Sequence, residues 1–143
     1  MALAREGADV CVVDLCGPID TVPYPLADPD DLARTVALVE QEGRRAIARE
    51  TDVRDSAAIT AAVAATVEEL GSLDIAVANA GVVGFGRFWE LTDAMWDDMI
   101  AVNLTGTFNT MRAAVVPMLE RGNGRIIATS SMAGRMGNPN LAH

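Results

Sequence analysis

The sequence predicts a doubly wound α/β domain built on a parallel β-sheet. Three observations lead there. Short apolar segments alternate with amphipathic helical segments from end to end, and the connections are long enough for parallel crossovers. The segment Val10-Cys11-Val12-Val13 is apolar without alternation, as a strand buried on both faces in a parallel sheet would be.

The elements follow in order. Met1 to Glu6 reads as the last turns of a helix stopped by Gly7. Ala8 to Leu15 is the first strand. Gly17 to Pro29 carries Pro18, Pro23, Pro25 and Pro29 with no periodicity, which marks an irregular loop. Asp30 or Asp31 is expected to cap the next helix, with Leu32, Val36 and Val39 as its apolar face and Gly43 at its end. Arg45 to Thr51 is a second strand. Asp55 caps a helix running to Leu70, whose face is Ile59, Val63 and Val67, and Gly71 terminates it. Leu73 to Ala78 is a third strand, and the Gly-rich loop Gly81 to Gly86 leads to a helix capped by Thr92. Gly106 to Glu120 forms a further helix, and Arg125 to Ser130 a fourth strand. The chain opens inside a helix, before which such a fold has a strand and a phosphate-binding turn, and it stops after a loop. One partial domain over residues 1–143, truncated at both ends, is therefore expected.

Composition narrows the function. Half the residues are hydrophobic and only 4% are aromatic, so small aliphatic side chains dominate the packing and suit helices lying close on a sheet. Twenty acidic side chains against 11 basic ones give a formal charge of -9, which repels phosphate backbones and anionic lipid surfaces alike. Neither nucleic acid nor a membrane is expected as a partner. No apolar run approaches the roughly 18 residues that span a bilayer. The N-terminus has no apolar signal core, so the cytoplasm is the expected location. Cys11 and Cys16 have no metal-ligand partners nearby and read as reduced, incidental thiols. No metal is expected.

In open α/β sheets, ligands bind beyond the C-terminal ends of the strands. The polar residues at those ends are Asp14, Asp52, Asn79 and Thr129-Ser130-Ser131. An acidic residue placed like Asp14 accepts from the adenosine ribose hydroxyls of a dinucleotide and repels a 2′-phosphate, which selects NAD over NADP. The plain alternative is a solvated strand-end carboxylate. Asp52 can accept from an adenine amino group, and the N–H of Val53 can donate to a ring nitrogen; otherwise Asp52 serves only to start the helix. Clustered acids at a single strand end would mark a phospho-receiver module, and here the acids are spread over separate strands.

Four segments then carry a resemblance. Asp52-Val53, Ala78-Asn79-Ala80-Gly81, Asn103 within Val102-Asn103-Leu104-Thr105-Gly106, and Ser130-Ser131-Met132-Ala133-Gly134 follow in that order on matching elements. Together the chain resembles the middle of a short-chain dehydrogenase/reductase, over essentially its whole length. The fold this implies is a Rossmann-type doubly wound parallel sheet, and the implied cofactor is NAD. Where the family has asparagine first in its Asn-Asn-Ala-Gly segment, this chain has Ala78. The resemblance implies that Asn79, Ala80 and Gly81 line the adenosine side of the cofactor. It implies that Asn103 interrupts its helix and holds a water of the proton relay, a plain buried asparagine being the alternative. Ser131, in preference to Ser130, would bond the substrate oxygen and stabilise charge developing there.

The family's base is a tyrosine whose phenol is acidified by a lysine. The single tyrosine, Tyr24, lies in the Pro-rich loop, and no lysine is available. The glycine-rich turn is absent as well. The 143-residue chain alone is therefore expected to be inactive, while the parent enzyme would interconvert a secondary alcohol and a ketone. A non-catalytic NAD-binding sensor or scaffold of the same fold is the alternative. The long loop from Cys16 to Pro29 is similar to the insertion of the mycofactocin-coupled, carveol-dehydrogenase-like subfamily. There it implies a cover over bound NAD that hinders its exchange. Phe108, Met111, Val115, Val116 and Leu119 leave the Gly106 helix apolar nearly all round. A homo-oligomer, dimer or tetramer as in the family, would cover the side facing away from the sheet. Val82, Val83, Phe85, Met132 and Met136 suggest a small apolar substrate.

Overall fold

A computed structural model of the chain describes all of residues 1–143. Its strands are parallel, as predicted. β1 (Val10–Asp14) pairs with β2 (Ala46–Glu50), Val10 lying opposite Ala46 and Asp14 opposite Glu50. β3 (Ile75–Ala78) pairs with β4 (Arg125–Ala128), from Ile75 opposite Arg125 to Ala78 opposite Ala128.

The two pairs are separate ladders. Between them runs a cleft of about 640 Å³ with Val10, Cys11 and Val13 on one wall, Ile75 and Val77 on the other, and Ile59 and Ala62 among its remaining lining residues. The cleft leaves one face of β3 open, and Ile75 and Val77 are 42% and 45% exposed. The side chains of a strand alternate between its faces; Ala76 and Ala78 are buried, while Ile75 and Val77 stand on the other face.

The helices start and stop for local reasons. α1 (Ala2–Arg5) ends at Gly7, whose φ of +96° only glycine adopts freely. α2 (Pro29–Gln41) is capped by Asp28, and not by Asp30 or Asp31. Asp28 Oδ1 accepts from Asp31 N at 2.9 Å, and Asp31 Oδ2 accepts from Asp28 N at 3.3 Å. This reciprocal box sets the start one residue ahead of Pro29, which occupies the first helical position, where its missing N–H has no partner to lose. α3 (Ser56–Leu70) is capped by Asp55 as predicted, through the N–H groups of Ala57 and Ala58. Its buried face is Ile59, Ala62 and Thr66, with Val63 and Val67 only half-buried. Thr66 can lie there because its hydroxyl donates to Ala62 O at 2.8 Å. Arg45 then fastens the start of β2 to the end of α3, donating to the carbonyls of Glu69 and Leu70 while its Nε holds Asp9.

The last helical stretch is one rod where the sequence suggests two helices. α4 (Asp93–Ile100), capped by Thr92, continues through a π-helical turn (Ala101–Gly106) into α5 (Thr107–Arg121). A π turn accommodates an extra residue without ending the helix, and such turns recur at functional sites. Gly106 is needed in it, since a Cβ there would lie 2.5 Å from Val53 Cγ2. The rod is thus pressed directly on the end of β2. Ala76, Ala114 and Met118 form the buried centre under β3 and β4, with Leu73 and Ile126 against them. Small side chains allow α5 this close approach. No helix is long and apolar enough to cross a membrane.

Candidate functional site

A cavity of about 220 Å³ opens at the C-terminal ends of β1, β2 and β3. Asp14, Asp52, Val53, Asn79, Ala80 and Gly81 all line it. These six residues come from three strand ends that are far apart in sequence, and the fold brings them to one place. Ile19, Leu26 and Ala27 of the Pro-rich loop close one side, and Val102 of the π turn closes another. Neither Asn103 nor Ser131 is among the lining residues.

Each carboxylate is held by its own turn. Asp14 Oδ1 accepts from Cys16 N at 2.8 Å, with Cys16 in the left-handed region at φ +53°. Oδ2 has no protein donor and remains available. Asp52 accepts from Arg54 N at 2.8 Å, and Arg54 Nε lies 3.0 and 2.8 Å from its two oxygens. Burial pushes the Asp52 carboxyl up, but the Arg54 hydrogen bonds and charge outweigh it and hold the group below the usual carboxylate range. Asp52 is therefore anionic, with Arg54 taking much of its acceptor capacity.

Two supporting residues escaped the sequence reading. Asn109, 4% exposed, donates to Val53 O at 3.0 Å and to Arg54 O at 3.3 Å, fixing the strand end from below. The available signal was an asparagine inside an apolar helix, where propensity gives it no reason to be. Arg54 bridges Asp52 to Asp98 on α4, with Nη1 2.8 Å from Asp98 Oδ1. Its guanidinium is raised above its ordinary value, first by the Asp52 hydrogen bond.

The strand-end loop after β3 is braced twice. Thr129 Oγ1 donates to Asn79 Oδ1 at 2.8 Å, tying the ends of β3 and β4. Asn103 makes a two-point contact with Val82, its Nδ2 donating to Val82 O at 2.9 Å and its Oδ1 accepting from Val82 N at 2.8 Å. The regular α-helix is interrupted at Asn103 by the π turn while the rod continues, and Nδ2 also reaches Met99 Sδ at 2.7 Å. Ser131 lies beyond β4 and is exposed, its Oγ accepting from Ala133 N at 3.2 Å at the start of the short turn Met132–Gly134. Its hydroxyl proton is left to donate elsewhere.

The chain as a whole matches known proteins. The family profile described as short chain dehydrogenase matches residues 20–143. The chain belongs to the short-chain dehydrogenase family. It is 52% identical over 143 residues to an uncharacterized NAD-dependent oxidoreductase of Mycobacterium tuberculosis, covering 99% of this chain and 52% of the relative. It is 43% identical to the (-)-trans-carveol dehydrogenase of Rhodococcus erythropolis, with the same coverage of each. Among solved structures, carveol dehydrogenase from Mycobacterium avium in complex with NAD superimposes with a TM-score of 0.95 at 46% identity, over 99% of this chain and 52% of that one. The chain spans about half the length of these relatives. The Rossmann-type fold is thereby established for this short-chain dehydrogenase segment, its two strand pairs being parts of that architecture.

On the outer side of the same segment, Phe108, Val116 and Leu119 are 54%, 54% and 73% exposed, while Ala114 and Met118 face the core. Arg112 stacks over Phe108 at 4.7 Å from the ring centre. The helix is apolar on two sides, and this chain covers one of them.

Proposed function

We propose that the full-length protein is an NAD-dependent oxidoreductase interconverting a small apolar secondary alcohol and its ketone, in the cytoplasm. The convergence of Asp14, Asp52, Val53, Asn79, Ala80 and Gly81 on one cavity carries this reading. Bound NAD would supply the hydride acceptor. Asp14 would offer its free Oδ2 to the adenosine ribose, and its charge would oppose a 2′-phosphate. Asp52 and the Val53 N–H would meet the adenine edge, and the backbone of Asn79-Ala80-Gly81 would pass beside the sugar, where small residues permit close approach.

Ser131 would donate its free proton to the substrate oxygen. Asn103 would hold the Val82 backbone in register and, as the family resemblance implies, a water of the proton relay. The chain of residues 1–143 would be the central part of the enzyme and inactive alone, because it holds no tyrosine-lysine pair. The Pro-rich loop would cover the cofactor and slow its exchange, as in the mycofactocin-coupled subfamily. The exposed face of α5 would meet a second copy in a dimer or tetramer.

Titration of the full-length protein with NAD and with NADP, followed by NADH absorbance with a panel of cyclic and acyclic secondary alcohols, tests this. Binding of NAD with turnover of at least one apolar alcohol is expected. NAD binding with no turnover would make the protein a non-catalytic NAD-binding scaffold, and absence of binding would remove the reading altogether.

A further inference from the structure

The loop of residues 17–28 is fastened to the rest of the chain at two points, one on α4 and one after β3. At one, Thr21 Oγ1 donates to Asp98 Oδ2 at 2.8 Å, while Asp98 Oδ1 receives Arg54 Nη1 at 2.8 Å. Arg54 in turn grips Asp52 through Nε, so an unbroken polar chain runs Thr21–Asp98–Arg54–Asp52 into the cavity wall. Arg54, Asp98 and Asp52 side chains are 31%, 25% and 27% exposed, shielded enough for these contacts to outlast the screening that weakens surface pairs. At the other point, the Tyr24 hydroxyl accepts from Val83 N at 3.0 Å. Val83 follows Val82, the residue held by Asn103.

On either side of the two fastenings in sequence, Ile19, Leu26 and Ala27 line the cavity. Ile19 is 7% exposed, so the loop is seated by an apolar anchor as well as latched. Thr21 lies between the anchor and Tyr24 in sequence, and its partner Asp98 stands on α4, outside the cavity's lining. The loop cannot lift from the cavity without breaking at least one of the two latches. The same Arg54 that backs the first latch also holds Asp52, so the latch and the cavity wall share one guanidinium.

We propose that Asp98 and Tyr24 are positioning residues that latch this loop over the cofactor and set the rate at which it leaves. The proposal rests on the reading of the cavity as an NAD site. It assigns the two residues no contact with the reacting atoms; they act through the loop and through Arg54.

The test is release of NADH from the full-length protein, chased with excess NAD and followed by NADH fluorescence. Tyr24→Phe removes one acceptor from a half-exposed ring, and Thr21→Val removes one donor without changing its shape. Each is expected to speed release about fivefold, the effect of losing one hydrogen bond. The double variant is expected to show the product of the two. Thr21→Ser keeps the hydroxyl and is expected to release NADH within about twofold of the unaltered protein. Asp98→Asn removes the charge facing Arg54 and weakens the acceptor for Thr21, and is expected to exceed Thr21→Val. Hydrogen exchange of the loop amides in the cofactor-free protein is expected to rise in all but Thr21→Ser. Faster loop exchange with unchanged NADH release would overturn the latch while leaving the NAD site standing. An unaltered protein that binds no NADH would remove both.

Discussion

Gly81 and Asn103 fit each other through a missing atom: a Cβ on Gly81 would stand 2.9 Å from Asn103 Oδ1. That oxygen accepts from Val82 N, so the glycine admits the carboxamide that pins the next residue. Gly81→Ala is expected to displace the Asn103 side chain and break both of its bonds to Val82. A destabilisation of about 1–3 kcal/mol follows, as for other overpacked sites. Thermal unfolding of the variant measures it. Asn103→Ala should lose a comparable amount, and the double variant much less than the sum of the two. Additive losses would show that the two residues are not coupled.

Asn109 supports the opposite wall. Its amide reaches the carbonyls of Val53 and Arg54 from a position that is 4% exposed. Asn109→Leu retains bulk and removes the donors, leaving two partly buried carbonyls without their partner. The expected loss is about 1–3 kcal/mol. NAD affinity should fall with it, because Val53 lines the cavity. Denaturant unfolding and cofactor titration on one preparation read both. Unchanged affinity with reduced stability would confine Asn109 to the fold.

Asp14, Asp52, Val53 and the Asn79-Ala80-Gly81 segment were legible in the sequence because each stands where a predicted strand ends. Strand ends are marked by a change from apolar to polar residues, which a sequence displays directly. Arg54, Asp98, Thr21 and Asn109 were not legible, because their meaning lies in partners 44 to 77 residues away. The cap of α2 was missed by a shorter distance: Pro29 looks like loop but belongs to the helix's first turn. The separation into two strand pairs was invisible too, since apolar runs announce strands without naming their neighbours.

Cofactor choice should follow Asp14. Its Oδ2 is free at the cavity wall, and a 2′-phosphate beside it would meet an unpaired negative charge. In the full-length protein, Asp14→Ala is expected to weaken NAD binding by about 1–2 kcal/mol through lost charge-assisted ribose bonds. NADP binding is expected to strengthen, so that the preference narrows. Parallel titrations with the two dinucleotides check it. An unaltered protein that favours NADP would remove this role for Asp14.

Both cysteines should be poor nucleophiles. Burial pushes the Cys16 thiol up, and the neighbouring Asp14 carboxylate adds to the effect. Burial also raises the Cys11 thiol. At pH 7 the thiolate fraction is small, and reaction with an aromatic disulfide reagent is expected to run at least about tenfold slower than for free cysteine. Denaturant should release both thiols at once. Rapid labelling of one thiol in the folded protein would show a local opening that the packing around it does not provide.

Acid stability should depend on the Asp52–Arg54 pair. The folded carboxyl lies below the ordinary Asp value, because the Arg54 contacts overcome the upward push of burial. A depressed folded pKa gives stabilisation that is complete well above the unfolded value of about 3.9, and that fades as pH falls through it toward the folded value. Stability should therefore be flat from neutral pH to about 5 as far as this group is concerned, and then decline as protons bind preferentially to the unfolded chain. Asp9 and Asp74 are lowered too, by hydrogen bonds from Arg45 and Ser72 respectively, and contribute in the same direction from the surface. Asp52→Asn cannot titrate, so its stability should be lower at pH 7 and its loss between pH 5 and 3 shallower. Arg54→Met keeps the backbone N–H bond to Asp52 but removes the guanidinium, so the carboxyl moves back up, stability at pH 7 falls, and the acid limb should lie between those of the unaltered chain and Asp52→Asn. Circular dichroism across pH 3 to 7 separates the two variants. Parallel curves for Asp52→Asn and the unaltered chain would show that the pair adds nothing to the acid limb.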